Sequence, residues 1–205
     1  MIKIILQETD KILHKFTNQN DNFDIQLPGN SNIKLGYIIK NSQISFNISA
    51  ENENSELECY FLIPAIDNQK TKLDIQTNFK AKNTKILINV FALANDNASI
   101  TLNWNLHIEK EINHVEARLY EETLLLWNAK YISLIPWLRV DSPDVIASHW
   151  AKIQRISLER LFYMQSRGLS EEKAINMIIH SYSEQIVEKL ELNEKEKSEF
   201  YSMIQ

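Results

Sequence analysis

Chemistry needs clustered side chains, and the candidate groups in this chain are few and scattered. The five histidines are His14, His107, His114, His149 and His180. None has the close spacing of a metal-ligating pair such as His-x-x-x-His. His107 and His114 are near enough to lie in neighbouring strands, but an unpaired strand histidine is ordinarily a surface residue. The single cysteine, Cys59, sits in Glu-Leu-Glu-Cys-Tyr-Phe-Leu-Ile, an alternating run that predicts a buried, inert thiol. Glycine occurs only at Gly29, Gly36 and Gly168, which excludes both a Gly-x-x-x-x-Gly-Lys-Ser/Thr phosphate loop and a serine nucleophile elbow. Glu109 with Glu111, and Glu121 with Glu122, are carboxylate pairs of the sort used in glycoside hydrolysis, yet any β-rich chain offers such pairs. No motif here carries catalysis, and the expectation is a protein that is not an enzyme.

The elements that would position these groups follow from periodicity. From about residue 23 to 146 apolar residues alternate: Ile100, Leu102, Trp104, Leu106 and Ile108 share one face, and Thr101, Asn103, Asn105, His107 and Glu109 the other. Shorter runs of the same kind cover Phe23 to Leu27, Ile33 to Ile39, Ile44 to Ile48, Leu57 to Ile63, Leu73 to Phe79, Ile86 to Phe91, Ala117 to Trp127 and Leu134 to Val140. Asn-, Asp- and Ser-rich breaks separate them. With so little glycine the corners must turn by other means, and asparagine tolerates the left-handed region better than most residues. Regular short strands of this kind suit either a sandwich or a parallel β-helix.

After Val145 the period becomes helical. Ser157 is placed to cap a short helix bearing Leu158, Leu161, Phe162 and Gln165, which Gly168 would end. Ser170 caps a second, with Glu171 and Glu172 in its first turn and an apolar stripe of Ala174, Ile175, Ile178, Ile179, Tyr182, Ile186 and Leu190. Asn193 and Glu196 have the capping-box spacing for a third, which carries Phe200, Met203 and Ile204. A stripe this amphipathic is either core or a docking face, and core is the commoner use. The expected division is a β-helix-like core over residues 1–152 and a C-terminal helical domain over 153–205.

Bulk composition bounds the rest. At 205 residues, 44% hydrophobic and 24% charged, the chain can build one good core. A formal charge of -5 argues against a nucleic-acid surface. The opening Met-Ile-Lys-Ile-Ile-Leu-Gln-Glu is too short an apolar run for a signal peptide, and no later stretch approaches a membrane span. A cytoplasmic location with no membrane contact is the expectation, and one cysteine without a disulfide partner agrees with a reducing compartment.

Several spaced segments together resemble a known family. Leu124-Leu125-Leu126, Pro136-Trp-Leu-Arg-Val140, Asp144-Val145-Ile-Ala-Ser-His149-Trp-Ala151, Leu161-Phe162-Tyr163, Ser166-Arg167-Gly168 and Ser170-Glu-Glu-Lys-Ala174 occur in the order seen at the C-terminal end of SufB and SufD proteins. Those proteins help to build iron–sulfur clusters with an ABC ATPase, SufC. The likeness spans roughly residues 112 to 192. It implies a right-handed parallel β-helix, truncated here, followed by a C-terminal helical module: mainly β with an α tail. It implies a short, SufD-like scaffold that pairs with a SufB-like subunit or with itself as a homodimer. It further implies that the scaffold docks a SufC-like ATPase near Phe162, Tyr163, Arg167 and Gly168 and the Ile175, Ile178, Ile179 face. The alternative is a divergent relative serving as an interaction or regulatory protein with no cluster role.

By the same resemblance His149 matches a histidine at the interface of the two β-helix subunits, and it is the metal-ligating candidate. Its expected cargo is at most a transient iron–sulfur cluster. A neutral imidazole would need a cysteine or carboxylate from the other subunit to complete a site. The departures concern neighbouring chemistry: Trp150 stands where Gly or Glu is usual, Ala147 where SufD-like proteins often have Cys, and Lys130 at the spacing of the essential SufB-type thiol. A β-helix of few turns exposes apolar core at its ends, so capping by the helical tail or by a second subunit is expected.

Overall fold

The computed structural model describes residues 2–126, 129, 131–156 and 158–204, without the side chains at 131, 158, 160, 161, 203 and 204. The expected cap Ser157, the side chains of Leu158, Leu161, Met203 and Ile204, and residues Trp127 and Lys130 therefore lie outside the described residues.

Among the described residues twelve strands run in the order β1 (Ile2–Ile5), β2 (Lys11–Thr17), β3 (Asn20–Gln26), β4 (Ser31–Lys40), β5 (Gln43–Ala50), β6 (Ser55–Ala65), β7 (Lys70–Phe79), β8 (Thr84–Ala94), β9 (Ser99–Ile108), β10 (Val115–Leu125), β11 (Tyr131–Val140) and β12 (Val145–Arg155). Three helices follow: α1 (Leu158–Ser166), α2 (Glu171–Lys189) and α3 (Glu194–Ile204). The odd-numbered strands form one six-stranded sheet and the even-numbered strands another, and every pairing is parallel. The chain thus alternates between two facing sheets, which is a flattened parallel β-helix with two strands per turn. Crossovers that return a strand to a parallel neighbour are right-handed in nearly all proteins, which is the hand expected here.

Alternation decides which side chains fill the coil. Phe23, Phe46, Ile75 and Trp104 form one inward row across β3, β5, β7 and β9, and Leu35, Cys59, Ile88 and Leu119 form one across β4, β6, β8 and β10. These residues are essentially sealed from solvent. Trp104 is accommodated because its Nε1–H donates to Thr77 Oγ1 at 3.1 Å, satisfying the one polar atom of the ring. An aromatic cluster of Phe16, Phe23, Tyr37, Phe46 and Phe61 fills the first turns.

The corners turn as the composition predicts. Asn18, Asn30, Asn41, Asn54 and Asn83 all have φ between 45° and 57°, a region most side chains avoid. Corner asparagines also stack from turn to turn: Asn41 Nδ2 donates to Asn18 Oδ1 at 2.7 Å and Asn54 Nδ2 to Asn30 Oδ1 at 3.0 Å.

Strand β2 is held by Phe16, drawn inward against Tyr37, and by pairing with β4. Two expectations change. The helical period begins only after Arg155, since the segment after Val145 pairs with β10 along its whole length. The helices do not cap the end of the coil; they lie on the outer face of the even-numbered sheet. There Ile175, Ile179, Tyr182, Ile186, Val187 and Leu190 share a second core with outward-facing Ile38, Tyr60, Leu62, Phe91, Leu93 and Leu124.

The helix ends form as read. Ser170 accepts a hydrogen bond from the Lys173 N–H. Asn193 and Glu196 exchange reciprocal bonds at 2.8 and 3.0 Å. Gly168, at φ 86°, turns the chain between α1 and α2. The C-terminal end of α2 is fixed by Lys34, whose Nζ donates to Lys189 O and to Glu191 Oε1, and by Lys11, which donates to Glu191 O. Cations suit that pole of the helix. None of the helices described is long and apolar enough to cross a membrane.

Candidate functional site

The last turn of the coil, β11 with β12, has a neighbouring turn on one side only, and its inward side chains show it. Leu138 and Val140 pair with Leu106 and Ile108, which are fully buried, but are themselves over a third exposed. Ile153 is 55% exposed at a position where Thr123, its partner on β10, is sealed. Outward from the same strands project Ile135, Trp137, Ile146 and Trp150, all about half exposed.

His149 points into the coil at this end. The register pairs it with Leu119 and pairs Glu121 with Ala151, so Glu121 and His149 are diagonal neighbours on the inward face. Glu121 Oε2 lies 3.2 Å from His149 Nε2, with the glutamate side chain 2% and the imidazole 20% exposed. The contact lacks the alignment of a hydrogen bond, and neither atom has another such partner among the described residues. Burial pushes the Glu121 carboxyl up from its ordinary value, and the imidazole pulls it part of the way back.

A carboxylate of this same chain therefore lies beside the imidazole. The sequence carried a sign of it: along Val115, Ala117, Leu119, Glu121, Thr123 and Leu125 a single acid interrupts an apolar inward face. Glu121 had been paired with Glu122 as a carboxylate couple, but adjacent strand residues face opposite ways, and these two never share a groove. A carboxylate and an imidazole are two donors, fewer than a bound metal ion takes. The described residues hold no group of three or more His, Cys, Asp or Glu arranged for a metal. Cys59 shares the inward row of His149, three turns away, buried and with its thiol pushed well above the ordinary value by burial. Its expected inertness follows from that burial. His107 and His114 lie apart, 3.6 Å from Asp141 and Asp144 respectively.

The helical candidates divide in two. Phe162 and Tyr163 on α1 are 71% and 59% exposed, and Arg167 lies over the Tyr163 ring at 5.3 Å. Gly168 is exposed beside them. Ile175 and Ile179 are buried in the second core and Ile178 is half-buried against it, so that face packs on its own sheet. The exposed side of α2 carries Met177 in a shallow apolar hollow with Leu169 and His180. A larger groove of about 740 Å³ lies between α2 and the even-numbered sheet, and within it Lys34 pairs with Glu191 and the Tyr60 hydroxyl donates to Glu58.

Comparison with known proteins is consistent with this layout. The family model described as the SufBD core domain of SUF system FeS cluster assembly matches residues 19–182, beginning far upstream of residue 112 where the motif likeness starts. A protein of Staphylococcus saprophyticus named as an iron–sulfur cluster assembly SufBD family protein is 30% identical over 111 residues, 54% of this chain and 24% of that protein. Similarly named proteins of Staphylococcus haemolyticus and Staphylococcus aureus are 29% identical over the same length and shares. The aligned stretch therefore spans about a quarter of the length of these relatives.

Proposed function

The chain belongs to the SufB/SufD family, and from that membership we propose that it is a noncatalytic, SufD-like scaffold subunit of SUF-type iron–sulfur cluster assembly in the cytoplasm. It pairs through its last turn with a SufB-like subunit or a second copy of itself, and docks a SufC-like ABC ATPase through α1 and the exposed side of α2. The observation that carries this reading is where large apolar side chains reach solvent. Apart from Ile2 and Ile5 in β1, those described cluster in two places, the β11–β12 turn and the α1–α2 surface. Two separate sticky surfaces on one small domain suit a subunit with two partners.

At the first surface the unpaired edges of β11 and β12 and the half-exposed Leu138, Val140 and Ile153 offer a sheet and a core to be continued. The Glu121–His149 pair would then be sealed inside the joint. There it could contribute two donors to a cluster in transit, the remaining ligands coming from the other subunit or from sulfide. The cluster is cargo in this reading.

Co-expression with the ATPase of the same system tests the proposal: a stable complex is expected, lost on Phe162→Asp. Absence of any complex with such an ATPase would reject it. A second reading, a divergent interaction protein with no cluster role, is favoured by one observation: the one thiol is buried three turns from His149. Unchanged cluster transfer by a complex containing His149→Ala would select it.

A further inference from the structure

Glu122 follows Glu121 on β10 and faces out of the coil, beneath α2. It is 9% exposed. It is a common acceptor for donors from two strands: Tyr120 Oη on β10 at 3.1 Å, Lys152 Nζ on β12 at 2.9 Å and Gln154 Nε2 on β12 at 2.5 Å. Trp150 adds a further tie from β12, stacked on Tyr120 with ring centroids 4.4 Å apart and planes 6° apart.

These contacts matter because β12 is an edge strand. Its ladder has β10 on one side only, so its position is less determined than that of any strand inside the sheet. Lys152, Gln154 and Trp150 are its outward residues, and His149 is among its inward ones. Whatever fixes the outward side fixes the imidazole.

We propose that Glu122 is a positioning residue: by gathering Lys152 and Gln154 of β12 and Tyr120 of β10 on one buried carboxylate, it ties the edge strand to its neighbour and thereby sets His149 against Glu121. The inference rests on the reading that the last turn is the working end of the protein. A carboxylate suits the role because it is acceptor-only and can take several donors at once. An amide at the same place would point N–H groups at a lysine ammonium and a glutamine amide.

The test uses the full chain with two folded variants, Glu122→Gln and Lys152→Met, the second deleting the ammonium that β12 brings to the carboxylate. Hydrogen exchange is followed by mass spectrometry and the imidazole by ¹⁵N-histidine NMR, with His149→Gln to assign the signal. Both variants are expected to speed exchange of the β12 amides by roughly fivefold or more, the loss of one or more buried hydrogen bonds, while β4, β6 and β8 keep their protection and the His149 signals move. Unchanged β12 exchange and an unmoved His149 signal in Lys152→Met would overturn the proposal, as would a uniform rise across all strands, which is plain destabilisation. If Glu122→Gln does not fold, Lys152→Met decides alone. Neither readout involves an ATPase or a second subunit, so failure here is distinct from failure of the scaffold reading.

Discussion

Glu121 Oε2 and His149 Nε2 face each other at 3.2 Å inside the final turn of the coil, and neither atom has a hydrogen-bond partner among the described residues. Burial favours the protonated carboxyl in the folded protein, so its folded value stands above its unfolded one. Linkage then has a fixed sign: the stabilising contribution of this group is present below the ordinary carboxyl range and is lost as pH rises through the raised value. Thermal melts should show Tm decreasing over that interval, and Glu121→Gln should flatten the dependence. A profile identical in the variant would show that Glu121 does not titrate differently on folding.

Removing the imidazole alone leaves the Glu121 carboxyl buried without the ring that lies beside it. His149→Gln is expected to cost about 1–3 kcal/mol at neutral pH, and the Glu121→Gln, His149→Gln double variant to cost less than the sum of the singles. Urea denaturation of the four proteins in a double-mutant cycle measures the coupling, and strict additivity would deny it.

Exposure separates two kinds of helical substitution. Phe162→Asp and Tyr163→Asp should leave Tm within a degree or two, because both rings already face water, while abolishing ATPase capture in a pull-down. Ile179→Asp should instead lose the helical module's cooperative unfolding, since it buries an unpaired charge in the second core at a cost of several kcal/mol. Equal effects of the two kinds on stability would contradict the packing of α2.

Gly36 is glycine because Leu190 needs its space. A Cβ there would meet Leu190 Cδ1 at 2.7 Å and Leu13 Cδ2 at 2.8 Å. Gly36→Ala is therefore expected to destabilise by about 1–3 kcal/mol through overpacking, with Leu190→Val relieving part of the loss. Urea titration of the single and double variants checks it.

Leu138→Asp and Ile153→Asp place charge on inward positions that only a partner would bury. Sedimentation should show assembly lost with the monomer's Tm nearly unchanged. Assembly that survives both substitutions would place the joint elsewhere.

Much of this was legible in the residues. The alternating runs from Phe23 to Val140 all became strands, because a fully buried inward face writes period 2 into the sequence. The caps at Ser170 and Asn193 and the asparagine corners are local and could be read locally. What could not be read was registration: the sequence does not state which outward residues meet, so the tail's place on the even-numbered sheet was missed. For the same reason Glu121 was considered beside Glu122 and not opposite His149. Ile175 and Ile179 looked equally fit for a partner or for self-packing, and only the outward apolar ends of β4, β6, β8 and β10 decide it.

Every strand pairing in the coil joins residues between 21 and 32 positions apart, from Ile2 with Phe23 to Tyr131 with Ser99. Order over the whole length therefore arises from one short-range rule repeated, and each closure has a similar entropic cost. Assembly of such a chain can begin at any turn and zip outward in both directions. Gaining or losing a turn upstream would lengthen or shorten the rod without redrawing the turn that holds His149.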